Sequence, residues 1–177
     1  IRTGGRFRMP AKRQIEQRQK SLRSLDQMIE DGRAYSKLRQ TKNRKAEEYH
    51  NEDLRFESLL EYVNGNLPIY VHANEVRQIE AAVNWSKRHV LKIIIVGGRD
   101  AWRSTKLLKD NKIPVIYESV TSLPSRRFED YDQVYKTPAL LYQAGVQFCI
   151  ASFGAAGAAY TVRNLPYHAA MAAAYGL

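Results

Sequence analysis

LPIYVHANEVRQIEAAVNWSKRHVLKIIIVGGRDA, residues 67–101, reads as strand, helix, strand. LPIYV is a short apolar run opened by proline, and LKIIIVGG is a β-branched run closed by glycines; both have the pattern of strands buried in a parallel sheet. Between them Val76, Ile79, Val83 and Trp85 recur at near-helical spacing, which predicts a crossover helix. Polar residues gather where the strands end, His72 and Asn74 after the first, Arg99 and Asp100 after the second. Parallel α/β proteins carry their chemistry at the carboxyl ends of their strands, so a site is expected there.

The same alternation continues toward the C-terminus. IPVIYESV (113–120) and VQFCIASF (146–153) are two further strands, and LPYHAAMAAAYGL (165–177) is an alanine-rich closing helix. Each strand is followed by a polar or glycine-rich turn, and the strands recur at the length of a βα unit. Four such units amount to half of an eight-stranded barrel or to a small open sheet.

Toward the N-terminus the character changes. DLRFESLLEYVNG (53–65) predicts one amphipathic helix with Leu54, Leu59, Leu60 and Val63 inward and an Asn-Gly stop. Residues 11–49 predict one or two long polar helices with a narrow stripe of Ile15, Leu22, Leu25, Met28 and Ile29. SKLRQTKNRKAEEYHNED (36–53) is too polar to bury a face and reads as a frayed helix or loop. The opening IRTGGRFRMP has breakers but no apolar core, so it reads as an arm and not a signal peptide, and the chain is expected to be processed or truncated. Two parts follow: residues 1–50, a basic arm and polar helical segment, and residues 51–177, the βα units.

Charge sharpens that division. Residues 1–50 hold 14 Lys/Arg against 6 Asp/Glu, which is +8 of the net +10. Clustered cations invite a nucleic-acid partner, but no stacking aromatics or recognised motif accompany them, and a long charged helix is ordinarily a solvated face. Nucleic acid is therefore disfavoured as a partner. No apolar run approaches the roughly 20 residues that a membrane span requires. Cys149 is the single cysteine, which excludes an internal disulfide and leaves the compartment open.

Three segments carry a resemblance: DLRFESLLEYVNGNLPIYVHAN, then IIIVGGRDAW, then RNLPYHAAMAAAYGL. Over residues 11–177 the chain resembles the C-proximal half of the metal-dependent amidohydrolase superfamily, near its imidazolonepropionase-like and Xaa-Pro dipeptidase-like branch. The resemblance implies an α/β fold, about half of a TIM-like barrel with four parallel βα units, preceded by long polar helices. It also implies a divalent metal, zinc first, held by an HxH pair on the first strand, a lysine or acid on the fourth, histidines on the fifth and sixth and an aspartate on the eighth. His72 matches the fifth-strand histidine. The sixth strand instead ends in Gly97-Gly98-Arg99 and the eighth in Ser152-Phe153-Gly154, and the first strands are absent from this chain. One imidazole does not hold zinc.

The remaining candidates each have two readings. Asp100 and Glu118 are the carboxylates expected at the mouth, where a pair acts as acid and base or shares a cation; Asp100 equally suits the start of its own helix. Asn74 touches substrate or caps the helix that follows. Arg99 and Arg163 are candidate substrate-binding cations, Arg163 with a salt-bridge alternative. His89 and His168 lie on helices and read as structural, and FGAAGAAYTVRN (153–164) lacks the lysine and spacing of a phosphate loop. The leading expectation is a hydrolase of C–N bonds acting on a small molecule. The alternatives are an inactive ligand-binding relative and a basic nucleic-acid module. Because half a barrel leaves open strand edges, a second polypeptide or a homo-oligomer is expected to complete it.

Overall fold

The computed structural model describes residues 11–42, 52–118, 120–152 and 162–177. The chain divides into two compact units, Ile1–Asn64 and Gly65–Leu177. That division falls inside the Asn-Gly stop, between Asn64 and Gly65, so the segment 53–64 lies in the helical unit.

In the first unit α1 (Ala11–Lys42) is one continuous helix of 32 residues. It runs well into the segment whose polarity predicted fraying, and residues 43–51 lie outside the described residues. DLRFESLLEYVNG forms two short helices, α2 (Leu54–Glu57) and α3 (Leu60–Val63), where the sequence pattern predicted one. The break lies at Ser58-Leu59, because the Leu59 amide bonds the Phe56 carbonyl three residues back and tightens the turn. Leu54 is consequently exposed and only Val63 is buried. The second half of α1 is covered by these helices: Ile29 is buried and Ser36 Oγ donates to Asn64 Oδ1 at 3.0 Å. Gly32 packs beside them, where even a Cβ would lie no nearer than 3.4 Å to Val63 Cγ1. Residues 12–24 of α1 stand exposed, Ile15 and Leu22 among them.

The second unit is a four-stranded parallel sheet: β1 (Ile69–Ala73), β2 (Ile93–Gly97), β3 (Val115–Tyr117) and β4 (Phe148–Ile150), hydrogen-bonded in that order. The crossovers are α4 (Val76–Arg88), α5 (Thr105–Asp110, after a 3-10 turn at Ala101–Arg103) and α6 (Gln133–Gln143); α7 (Leu165–Ala174) follows β4. The register pairs Val71 with Ile95, Ile95 with Val115 and Val115 with Phe148. Since alternate residues share a face, Ile93, Ile95, Val115 and Tyr117 stand on one side. All four are 4% exposed or less, packed with Ile79, Val83, Leu108 and Leu141 of the crossover helices. Strand order equals sequence order, so no reversal moves a helix to the other face.

One joint in this core depends on a proline. Pro138 lies inside α6 and has no amide hydrogen, so the carbonyl of Val134, four residues back, is left without its helical donor. The Tyr117 hydroxyl supplies the missing bond, donating to the Val134 oxygen at 2.9 Å. Burial of this phenol pushes its pKa up to about 12. The unfolded chain ionises near 10.0 and the native chain does not, so stability falls as pH rises between those values. Tyr117→Phe, which leaves the Val134 oxygen unpaired, is expected to lower stability by about 1–3 kcal/mol and to flatten the alkaline decline. Urea titrations of the two proteins at pH 8 and pH 11 check this; equal losses at both pH values would remove the phenol as the cause.

Candidate functional site

At the carboxyl end of the sheet three loops are tied in series. The first tie joins the loops after β1 and β2. Gly98 and Asp100 amides donate to the carbonyls of Ala73 and Asn74 at 2.9 and 2.8 Å, and the Arg99 amide donates to Asn74 Oδ1 at 3.4 Å. Two glycines make this approach possible. Gly97 and Gly98 have φ of +96° and +62°, and a Cβ on them would lie 2.5 Å from Asn74 Oδ1 and 2.7 Å from Val115 Cγ1. Asn74 is thus a loop brace. The helix cap it was a candidate for is made by Glu75, whose side chain forms a capping box with Gln78.

The second tie joins the loops after β2 and β3. Asp100 is 2% exposed, and its two carboxylate oxygens accept from the two terminal nitrogens of Arg126 at 3.0 and 2.6 Å. The same carboxylate accepts from the Val76 amide at 3.3 Å, so it meets the N-terminus of α4 and not that of the turn it opens. Glu129 pairs with Arg126 and accepts from the amides of Ser125 and Arg126, which folds the β3 loop around the guanidinium. Arg99 reaches the same loop, donating to Ser125 Oγ at 2.6 Å, while its buried Nε has no partner among the described residues. Ser125, Arg126 and Glu129 carry much of this geometry. The sequence offered one signal for them, a Glu three residues after an Arg in a turn.

Burial alone pushes the Asp100 carboxyl up, but the Arg126 hydrogen bonds, the Val76 amide and the charges of Arg126 and Arg103 outweigh it and hold the group below the ordinary 3.8. Beside the ion pair runs an open groove of about 490 Å³ lined by Glu75, Val76, Arg77, Glu80, Arg103 and Arg126. Its charges are mixed, three guanidiniums against two carboxylates.

The other candidates are more scattered. His72 is exposed on β1, opposite Val96 in the register. Glu118 is half-buried at the end of β3, and Asp100's ion-pair partner is Arg126. Arg163 is exposed just ahead of α7. His168 Nε2 lies 3.4 Å from Thr121 Oγ1, and His89 is buried with its ring 5.4 Å from that of Trp85. The glycine-rich run 153–161, with the Phe153-Gly154 end of the last strand, lies outside the described residues. Among the described residues no three His, Cys, Asp or Glu side chains come together in a way that could hold a metal ion, so His72 and its neighbours do not by themselves fit zinc.

No protein-family model matches the sequence and no curated protein does. Among solved structures the chain is similar to an amidohydrolase from Thermotoga maritima MSB8, with a TM-score of 0.66 and 21% identity, over 87% of this chain and 39% of that one. The likeness shows the fold: an α/β arrangement of four consecutive parallel βα units like those of an amidohydrolase barrel. This chain spans well under half the length of that protein.

Removing one partner of a buried ion pair strands the other charge. Asp100→Ala is therefore expected to cost about 3 kcal/mol of stability, read from urea unfolding near pH 7. Because the folded carboxyl is held below 3.8, its contribution is full above that pH and fades as the pH falls through the lower folded value. The gap between wild type and variant should narrow in that acid range; a gap independent of pH would assign the loss to packing.

Proposed function

We propose that this chain is the C-proximal part of an amidohydrolase-like barrel that hydrolyses C–N bonds of amides or cyclic amides, in the imidazolonepropionase-like or Xaa-Pro dipeptidase-like branch, once further βα units from a second polypeptide or a second copy complete it. The observation that carries the reading is the likeness of 87% of this chain to part of an amidohydrolase, with His72 at the carboxyl end of the strand where the family has a metal-binding histidine. In such a barrel a divalent metal acidifies a bound water for attack on a carbonyl. His72 supplies at most one ligand here, and the remaining ligands belong to the completing units. Arg99 and Asn74 line the same end of the sheet, and Arg99 is the cation placed to hold a substrate carboxylate beside Ser125. Asp100 serves by fixing Arg126 and the loops, and Glu118 and Arg163 are the acid and the second cation left for contact with substrate.

A second reading is a relative that binds a small ligand without hydrolysing it. It is favoured by Gly97-Gly98, since the end of β2 holds two glycines where the family has a histidine and Asn74 Oδ1 sits where a side chain would begin. A nucleic-acid role would rest on the exposed basic half of α1.

His72→Ala decides between the first two. If His72 is a ligand, the variant should bind zinc at least tenfold more weakly than wild type in equilibrium dialysis followed by elemental analysis, because water does not replace an imidazole without cost. Unchanged zinc affinity removes His72 from any metal site and favours the binding relative.

A further inference from the structure

The two faces of the sheet are unequal. Ile95, Val115 and Tyr117 are sealed by helices, whereas the alternate positions Tyr70, His72, Ile94, Val96, Ile116 and Cys149 point the other way. Along that second face Tyr70 is 60% exposed, His72 and Cys149 are exposed, Ile94 and Ile116 are half-buried, and only Val96 of the six is buried. The face is largely apolar, and none of these six positions is Asp, Glu, Lys or Arg. Both sheet edges, β1 and β4, are open on their outer sides among the described residues.

We infer that this face is an interface for a second copy of the chain, two four-stranded sheets closing edge to edge into an eight-stranded barrel. The inference rests on the barrel reading above and names the occupant. A two-fold axis along the barrel brings β4 of each copy beside β1 of the other. All strands stay parallel, and both open edges on each copy are satisfied at once. Eight strands is the number at which a barrel interior is just filled by its own side chains, and the six residues above are then half of that filling. Two largely apolar walls without Asp, Glu, Lys or Arg meet across the two-fold axis, so one surface can be self-complementary. The carboxyl ends of all eight strands open on the same mouth. His72 and Arg99 of one copy therefore share it with the same residues of the other, and the site is incomplete without the partner copy.

The test uses the purified chain and its single thiol. Light scattering on the eluting protein is expected to give about twice 20.3 kDa. In the dimer Cys149, on the enclosed face, should react with a disulfide reagent such as DTNB at least tenfold more slowly than in protein diluted until it dissociates. Ile116→Asp places a charge on this face away from the helix-packed core, and should give a monomer with native circular dichroism and a fast thiol. If that variant does not fold, Tyr70→Lys at the more exposed position gives the same readout. A cooperatively folding monomer of 20.3 kDa overturns the inference, including the case where a different polypeptide fills the face. A dimer with Cys149 as reactive as in the dissociated protein overturns it too, by placing the contact elsewhere. The functional reading is tested apart from this. A protected dimer whose zinc affinity is indifferent to His72 sinks the hydrolase and keeps the interface; a monomer that loses zinc with His72→Ala does the reverse.

Discussion

A crossover between neighbouring parallel strands lays its helix on one side of the sheet, and this chain makes three crossovers in succession without reversing strand order. The three crossover helices are thereby committed to one face, and none of them covers the other. The burial follows directly: Ile95 and Tyr117 are sealed, while Tyr70 one strand away on the opposite face is largely exposed. An open α/β sheet avoids this imbalance by reversing its winding and covering both faces. A sheet wound in one direction solves it by curling until its bare face meets other strands. The topology thus sets the architecture and the demand for something to pack inside it.

Within the helix-covered layer, polar groups are buried only where a second element answers them. Pro138 deprives Val134 of a helical donor and Tyr117 supplies one from the neighbouring strand, which fixes the rotation of α6 against β3. At the carboxyl end Asp100 is nearly inaccessible yet charged, and it is tolerable there because Arg126 meets both of its oxygens and the Val76 amide adds a third bond. The pair links β2's loop to β3's, and Arg99 with Ser125 repeats the link a few residues away. A mouth held in this way is a fixed frame. The side chains of His72, on β1, and Glu118, at the end of β3, take no part in these ties among the described residues.

Much of the βα portion was legible because its signals are local. Short apolar, β-branched-rich runs followed by polar or glycine-rich turns gave all four strands, and the spacing of Val76, Ile79 and Val83 gave α4. The segment 53–65 has the periodicity of one helix but forms two, because the Leu59 amide bonds the carbonyl three residues back, and hydrophobic periodicity does not register such a bond. α1 persists beyond its expected fraying because Tyr35 finds a partner at Glu57 on α2 and Ser36 one at Asn64, just after α3. Asp100 looked like half of a carboxylate pair because the sequence places it and Glu118 after adjacent strands; its actual partner, Arg126, sits in a loop whose path no periodicity describes.

By itself the sequence determined the number and order of the strands, the single crossover helix between His72 and Arg99, the basic N-terminal end and the lone thiol. These depend on periods of two and 3.6 residues and on composition, which are properties of short stretches. Only the tertiary structure decided which side of each strand is bare, why two consecutive glycines are needed after β2, and which carboxylate is spent on an arginine. Those are contacts between residues some 20 to 30 positions apart, such as Asn74 with Arg99 and Asp100 with Arg126, set by strand register and loop closure and invisible until the strands are side by side.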